Sequence, residues 1–500
     1  MGRNAAGAGA GRPSGSVGRH NHYFNLVDAC ERRGCPVCRL ALASVYRWLD
    51  SFAYEGVNDP DVRAALRASR GFCPVHAWQL VDEIHDVVGA AIVYRDVIHT
   101  LLPHVTAAVH HPAALSPAGV CRACLVLDEA ARRYLDVLAE SLPDREFRRA
   151  CETGPGALCV PHAQAVLQRL ASRAMAEAAA EWLAARWETA LQAPRGSAQL
   201  RPGARRYRGV AGLTGTISAA SFAAPEPASL SDPRTLPVEM LFGRPRAVTP
   251  AGGPRAAGQA RLPPAPERAE GALAWDHVCV SGACAVCRLA LRAEDRPPTG
   301  NGAAGPLAVA DVRSLCNAHA WRLVERGYAA ALGPACETAI RELARDLRGT
   351  SAPHRGCPNG ASFALAALFD RSTPGERLAA RLAAPGECRW CVDRAEAEAA
   401  TLDRLLAEDG HVTGAQEALC RSGGVCRAHF VRAMERGQGS AAAAWLACLQ
   451  LERWSALDHD LEEYLRKQDY RFRDEPRGPE QTAPWRAVEQ VAGARGWSNS

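Results

Sequence analysis

Four times along the chain a Cys-x-x-Cys is followed, after a similar interval, by a Cys-x-x-His. The sets are Cys35, Cys38, Cys73 and His76; Cys121, Cys124, Cys159 and His162; Cys284, Cys287, Cys316 and His319; and Cys388, Cys391, Cys426 and His429. From the last Cys of each first motif to the first Cys of the second, the intervals are 35, 35, 29 and 35 residues. Two ligands three residues apart at a helix start lie on one face, and two such pairs complete a tetrahedron. Three sulfurs and one imidazole suit zinc, so four zinc ions per chain are expected, each held by a CxxC and the CxxH that follows it. An iron–sulfur cluster is the alternative, but the tight cysteine spacing of ferredoxins is absent. Four protein ligands leave no coordination position for water, so these sites read as structural.

Composition bears on the partner. The formal charge is +5. A Zn²⁺ held by three thiolates and a neutral imidazole carries −1, so four filled sites bring the chain to about +1. The mild basicity therefore gives little electrostatic reason for nucleic acid. The first 18 residues lack the apolar core of a signal peptide. The best apolar run, Val87 to Val93, is too short to span a bilayer. Nineteen cysteines without an export signal point to a reducing, cytoplasmic location, where CxxC favours metal over disulfide. No membrane association is expected.

The organisation predicted is all-α. Residues 1–19 read as a disordered tail, 20–193 as a first pair of zinc-helical units, 194–272 as a flexible Pro/Gly/Ala-rich linker with a short ordered patch near Val238 to Phe242, 273–475 as a second pair, and 476–500 as a short helix and tail. Within a unit, an amphipathic helix leaves the CxxC, a short return helix comes back, and one long helix starts at the CxxH. A helix of about 18 residues runs ~27 Å out, and about 20 residues remain for the return. The phrase Cys-x-Val-Cys-Arg-Leu-Ala-Leu stands at Cys35 and again at Cys284, and His-Ala-Trp-x-Leu-Val stands at His76 and again at His319. The two pairs therefore read as a duplication. In the third unit Pro297 to Gly305 replaces the return helix, which shortens its interval.

Gly34 to Leu40, Asn58-Asp59-Pro60, Gly71 to Trp78, the second CxxC/CxxH pair from Cys121 to His162, and Asp469 to Pro476 together resemble a bacterial family known as domain of unknown function 6062. Gly478, Glu480 and Trp485-Arg486-Ala487 fit the same pattern. The likeness covers about 20–193 and 273–493. It departs where the first half lacks the closing segment and where the third unit lacks its return helix. The resemblance implies helical architecture and metal binding, and it supplies no reaction.

No GxGxxG, P-loop, GxSxG or recognisable carboxylate pair is present, so an enzyme, with an active site in the groove between the two halves, is the least favoured reading. The leading expectation is a zinc-binding scaffold for a protein partner. A redox- or zinc-responsive regulator is the alternative, on the strength of Cys30, Cys279, Cys151 and Cys420 near the motifs. Apart from that alternative, Cys30, Cys279, Cys151 and Cys420, like Cys336, Cys357 and Cys448, read as small buried apolar residues. The run Tyr470-Arg471-Phe472-Arg473 could stack on nucleic acid; its other reading has Tyr470 and Phe472 anchoring the tail while Asp469, Asp474 and Glu475 pair the arginines. His99, His104, His110 and His111 crowd one helix end and read as solvated.

Overall fold

The computed structural model describes residues 16–192, 230, 232–245, 284–293, 309–349, 372–407, 414–472 and 474–497. Among these the chain is all-α, and an isolated parallel bridge between Gly34 and Gly156 is its one extended pairing. Residues 1–15 and most of the 194–272 segment lie outside the described residues. The first helix, α1 (Ser16–Cys30), begins inside the expected tail.

The described residues fall into two compact units. One collects those within Met1–Leu40, Ala130–Leu200 and Ile340–Ala383; the other collects those within Ala41–Glu129, Arg201–Ala339 and Ala384–Ser500. Each unit thus draws chain from both sides of the 194–272 segment, and neither coincides with 20–193 or 273–475.

The elements follow the predicted order with one systematic change. After α2 (Pro36–Tyr54) the return helix α3 (Pro60–Ala68) starts where Asp59 accepts the Asp61 and Val62 amides at 2.9 Å. It closes at Gly71, whose φ of 86° suits glycine and whose N–H reaches the Leu66 carbonyl at 2.7 Å. The CxxH then opens two helices, not one long one: α4 (Pro74–Asp82) and α5 (Val87–Leu101). The apolar periodicity runs through the break, which hid it. His85 takes a left-handed φ of 61°, and Asp86 caps α5 through the Gly89 amide at 2.8 Å.

The same interruption recurs after every CxxH. α6 (Arg122–Ser141) and α7 (Arg145–Glu152) lead to α8 (Val160–Leu167) and, after a gap, α9 (Arg173–Gln192). The ordered patch is α10 (Leu236–Phe242), with every residue buried. Then come α11 (Ala285–Ala293), α12 (Val309–Arg313), α13 (Asn317–Leu323) and α14 (Ala329–Leu347), the last two separated at Gly327 with φ 91°. The return helix of the third unit is therefore cut to five residues, not lost. α15 (Pro374–Arg381), α16 (Arg389–Leu405) and α17 (Gly414–Cys420) precede α18 (Arg427–Arg436) and α19 (Ala441–Arg466), split where Gly439 is left-handed and Ser440 caps the Ala443 amide. α20 (Ala483–Ala492) stops at Gly493, as expected.

In the first unit α1 lies on α7, with Tyr23 and Phe147 rings 5.1 Å apart. α15 lies on α8 and α9, so closely that a Cβ on Gly375 would meet the Leu167 carbonyl at 2.1 Å. Arg348 pairs with Glu181 and Glu188 of α9. In the second unit α5 is central and packs on α19 and α20. Its Ala90, Ala91, Tyr94, Ile98 and Leu101 are fully buried, and each large side chain there contributes about 1.5–3 kcal/mol. Arg95 and His99 reach Asp458 of α19 at 3.4 and 2.9 Å.

Candidate metal centres

All sixteen predicted ligands gather into four Cys₃His clusters, but not in the predicted partnerships. Cys35 and Cys38 meet Cys159 and His162, not Cys73 and His76. Cys73 and His76 meet Cys121 and Cys124. Cys284 and Cys287 meet Cys426 and His429, and Cys316 and His319 meet Cys388 and Cys391. In each half of the sequence the motifs nest: the inner two form one cluster and the outer two another. Every CxxC is served by a CxxH, but never by the next one.

Helix length is the reason. α2 has 19 residues and α3 has nine, so the path runs ~28 Å out and only ~14 Å back. The tight turn at Ser69–Gly71 prevents the remaining residues from extending to cover the shortfall. α6 with 20 residues and α7 with eight repeat the mismatch.

Each cluster is built from two helix starts. Cys73, Cys159, Cys316, Cys388 and Cys426 are N-caps, and Cys35, Cys121 and Cys284 immediately precede α2, α6 and α11. The second ligand of each pair sits three residues on, inside the first turn. Two positive helix ends thus face each set of sulfurs, and they favour thiolate over thiol.

In every cluster the imidazole presents Nδ1 to the sulfurs. His162 Nδ1 lies 3.4, 3.3 and 3.2 Å from Cys35, Cys38 and Cys159. His76 Nδ1 lies 3.2, 3.6 and 3.4 Å from Cys73, Cys121 and Cys124. For His429 the distances to Cys284, Cys287 and Cys426 are 3.4, 3.3 and 3.1 Å, and for His319 to Cys316, Cys388 and Cys391 they are 3.1, 3.3 and 3.4 Å. In each cluster the second Cys of the CxxC lies 3.6–3.7 Å from the Cys of the CxxH, sulfur to sulfur. A regular tetrahedron with zinc bond lengths puts S···S at ~3.8 Å and S···N at ~3.6 Å. The sulfurs are too far apart for a disulfide, whose bond is about 2.05 Å.

The thiols within a cluster differ sharply in acidity. Hydrogen bonds from Cys124 and Cys73 hold the Cys121 thiol far below the ordinary thiol range. Its neighbours move the other way: Cys73 is pushed up by Cys121 and Cys124, and Cys124 up to about 12 by Cys121. Cys388 is lowered by Cys316 and Cys391, and Cys426 by Cys284 and Cys287. Burial opposes the ionisation of Cys35, but hydrogen bonds from Cys159 and Cys38 outweigh it. Each cluster therefore holds one thiol that its neighbours make more acidic, beside thiols such as Cys38, Cys73, Cys284 and Cys316 that are pushed the other way. A divalent cation at the centre would replace the thiol protons.

One cluster has a carboxylate behind its imidazole. His429 Nε2 lies 3.4 Å from Glu398, which also pairs with Arg432, and the Trp497 ring meets the His429 ring edge-on at 4.8 Å. Sequence reasoning missed Glu398. It stands ten residues after Cys388 on α16, a helix whose CxxC belongs to a different cluster, so no local spacing connects it to His429.

Among the remaining candidates, Cys30 and Cys151 are buried and hydrogen-bond each other beside Cys35, and that contact with burial pushes the Cys30 thiol up. Cys336 is buried as expected, whereas Cys448 and Cys420 are exposed. Cys279 and Cys357 lie outside the described residues. His104, His110 and His111 are exposed and join no cluster. Arg471 pairs with Asp469 at 2.5 Å, and Arg466 pairs with Glu475 and covers the Phe472 ring at 4.3 Å. Phe472 is thus an anchor, but Tyr470, 79% exposed, is not. Arg473 lies outside the described residues.

Fold and site define a helical protein with four Cys₃His clusters that could each hold a metal ion. No helix among the described residues is long and apolar enough to cross a membrane. No protein-family model matches the sequence. No solved structure matches the chain. The chain is similar to an "uncharacterized 23.9 kDa protein in xynA 3'region" of Caldicellulosiruptor sp. (strain Rt8B.4), 33% identical over 75 residues. The match covers 15% of this chain and 36% of the other protein's length.

Proposed function

We propose that the protein is a zinc-binding helical scaffold in which four structural Cys₃His sites hold the fold together, and that it acts through a protein partner. One observation carries the reading: each cluster holds an imidazole Nδ1 3.1–3.6 Å from all three of its sulfurs, with all four ligand atoms within 4.8 Å of one another, close to the dimensions of a zinc tetrahedron. When bound, the metal supplies a cross-link. The chain's own residues do the rest: helix starts present the thiolates, Nδ1 completes the set, and Glu398 stands 3.4 Å behind His429 Nε2, placed to favour that ring orientation. With four protein ligands no position is left for a reacting water, so a structural role is favoured over hydrolysis. Zinc is preferred to an iron–sulfur cluster because a single ion fits between atoms this close. The likeness to family 6062 is consistent with this reading, and a cytoplasmic location belongs to it.

The redox- or zinc-responsive alternative finds less support. Cys30 is 3% exposed and Cys151 fully buried, and the raised Cys30 thiol holds little of the thiolate that an oxidant attacks.

Metal analysis of the purified chain is expected to give close to four zinc ions. Two or fewer, or stoichiometric iron with sulfide, would overturn the reading. Pull-down in zinc-retaining buffer would then identify the partner.

A further inference from the structure

Two short helices far apart in the sequence end in the same way. α10 stops at Gly243, φ 81°, and α20 at Gly493, φ 113°. They share Val-Glu followed by a glycine four residues after the Glu, at 238–243 and 488–493. A left-handed terminal glycine turns the chain away from the helix axis and leaves its carbonyl free to accept a bond. The Gly493 carbonyl accepts the Trp78 indole N–H at 3.0 Å, and the Gly243 carbonyl accepts that of Trp321 at 2.9 Å. Trp78 and Trp321 hold equivalent places, each two residues after the histidine of an inner CxxH.

The surroundings repeat as well. α20 packs along α5, the helix after α4. Correspondingly, Gly333 of α14, the helix after α13, sits so close to the α10 segment that a Cβ there would meet the Arg234 carbonyl at 2.7 Å. Arginines secure both ends. Arg495 lies over the Trp78 ring at 4.5 Å and pairs with Asp82 of α4 at 2.7 and 2.8 Å. Arg244 pairs with buried Glu239 at 2.8 Å, and its carbonyl accepts from Asn317 at 3.0 Å. Two independent copies of one bond, on matched residues, make coincidence a poor explanation.

The connectivity is crossed. α10, which follows the first pair of motifs, sits on the Cys316–His319 helix of the second. α20, which follows the second pair, sits on the Cys73–His76 helix of the first. We propose that the surface around each inner CxxH tryptophan is a docking site for a short helix closed by a left-handed glycine, and that the two halves of this chain exchange those helices. Each half is then the other's partner, in the manner of a dimer with swapped closing segments written into one polypeptide. α10 is the closing helix of the first half, and it coincides with the short ordered patch expected within the 194–272 segment.

Hydrogen–deuterium exchange on the full chain tests this. Trp78→Phe keeps an aromatic six-membered ring and removes the indole N–H together with the pyrrole half that carries it. It is expected to speed exchange roughly ten-fold in the amides of 483–493, with those of 236–243 unchanged. Trp321→Phe should do the reverse. Faster exchange confined to each tryptophan's own helix, or equal in both closing helices for either variant, would overturn the proposal. A second measurement stands if a variant fails to fold. A protease recognition sequence inserted between 246 and 272 and then cut should leave two fragments that migrate as one complex. Two separate folded fragments in native buffer would refute the exchange. Neither result depends on which metal the clusters hold.

Discussion

The nested partnership of motifs is best attacked with paired substitutions, because its readout is an integer. Cys124 and His76 share a cluster, whereas Cys38 and His76 do not. Cys124→Ser with His76→Ala therefore disables one site and should leave three zinc ions per chain. Cys38→Ser with His76→Ala disables two sites and should leave two. Partnership between each CxxC and the next CxxH predicts the opposite order. The accompanying loss of stability follows from loop closure. The inner cluster ties residues 45 apart and the outer cluster residues 121 apart. Closing such loops costs ~3 and ~4 kcal/mol of chain entropy respectively. The two differ by only ~1 kcal/mol, so depth in the nest should matter less than the number of sites lost. Zinc would be counted by plasma mass spectrometry after gel filtration, and unfolding followed by circular dichroism. Three zinc ions in the Cys38/His76 variant would refute the geometry described here.

Three further outcomes are expected. Glu489, its side chain 15% exposed, accepts the Cys284 amide and has its carboxyl pushed up to about 7, mainly by burial. A raised acid pKa adds stability that is complete below about 4.5 and is lost as pH rises through about 7, at most ~3 kcal/mol. Glu489→Gln should accordingly raise the melting temperature at pH 8 and leave it unchanged at pH 4, and a lower melting temperature at pH 8 would contradict this. Glu398→Gln should weaken zinc at the Cys284 cluster about 10–100-fold in chelator competition while sparing the other three, through the lost carboxylate behind His429; uniform weakening would count against it. Asp86→Ala removes the cap of α5 and should cost about 1 kcal/mol in denaturant unfolding, and an unchanged midpoint would show that the cap is idle.

The ligands can be read from the chain alone. Cys and His three residues apart at a helix start are a local property, set by helix geometry and by the charge of the helix end, and so all sixteen were legible. The helical class, the return helix from Asp59 to its stop at Gly71 and the closing helix before Gly493 were legible for the same reason. Which motif meets which was decided elsewhere. It depends on α3 being half as long as α2, on a turn at Gly71 too tight to make up the difference, and on the break at His85 that ends α4. Glu398 reaches His429, and Gly493 reaches Trp78, through packing between segments hundreds of residues apart or on different helices. No spacing rule carries such contacts. They arise only when apolar faces such as that of α5 choose their cover from the whole chain.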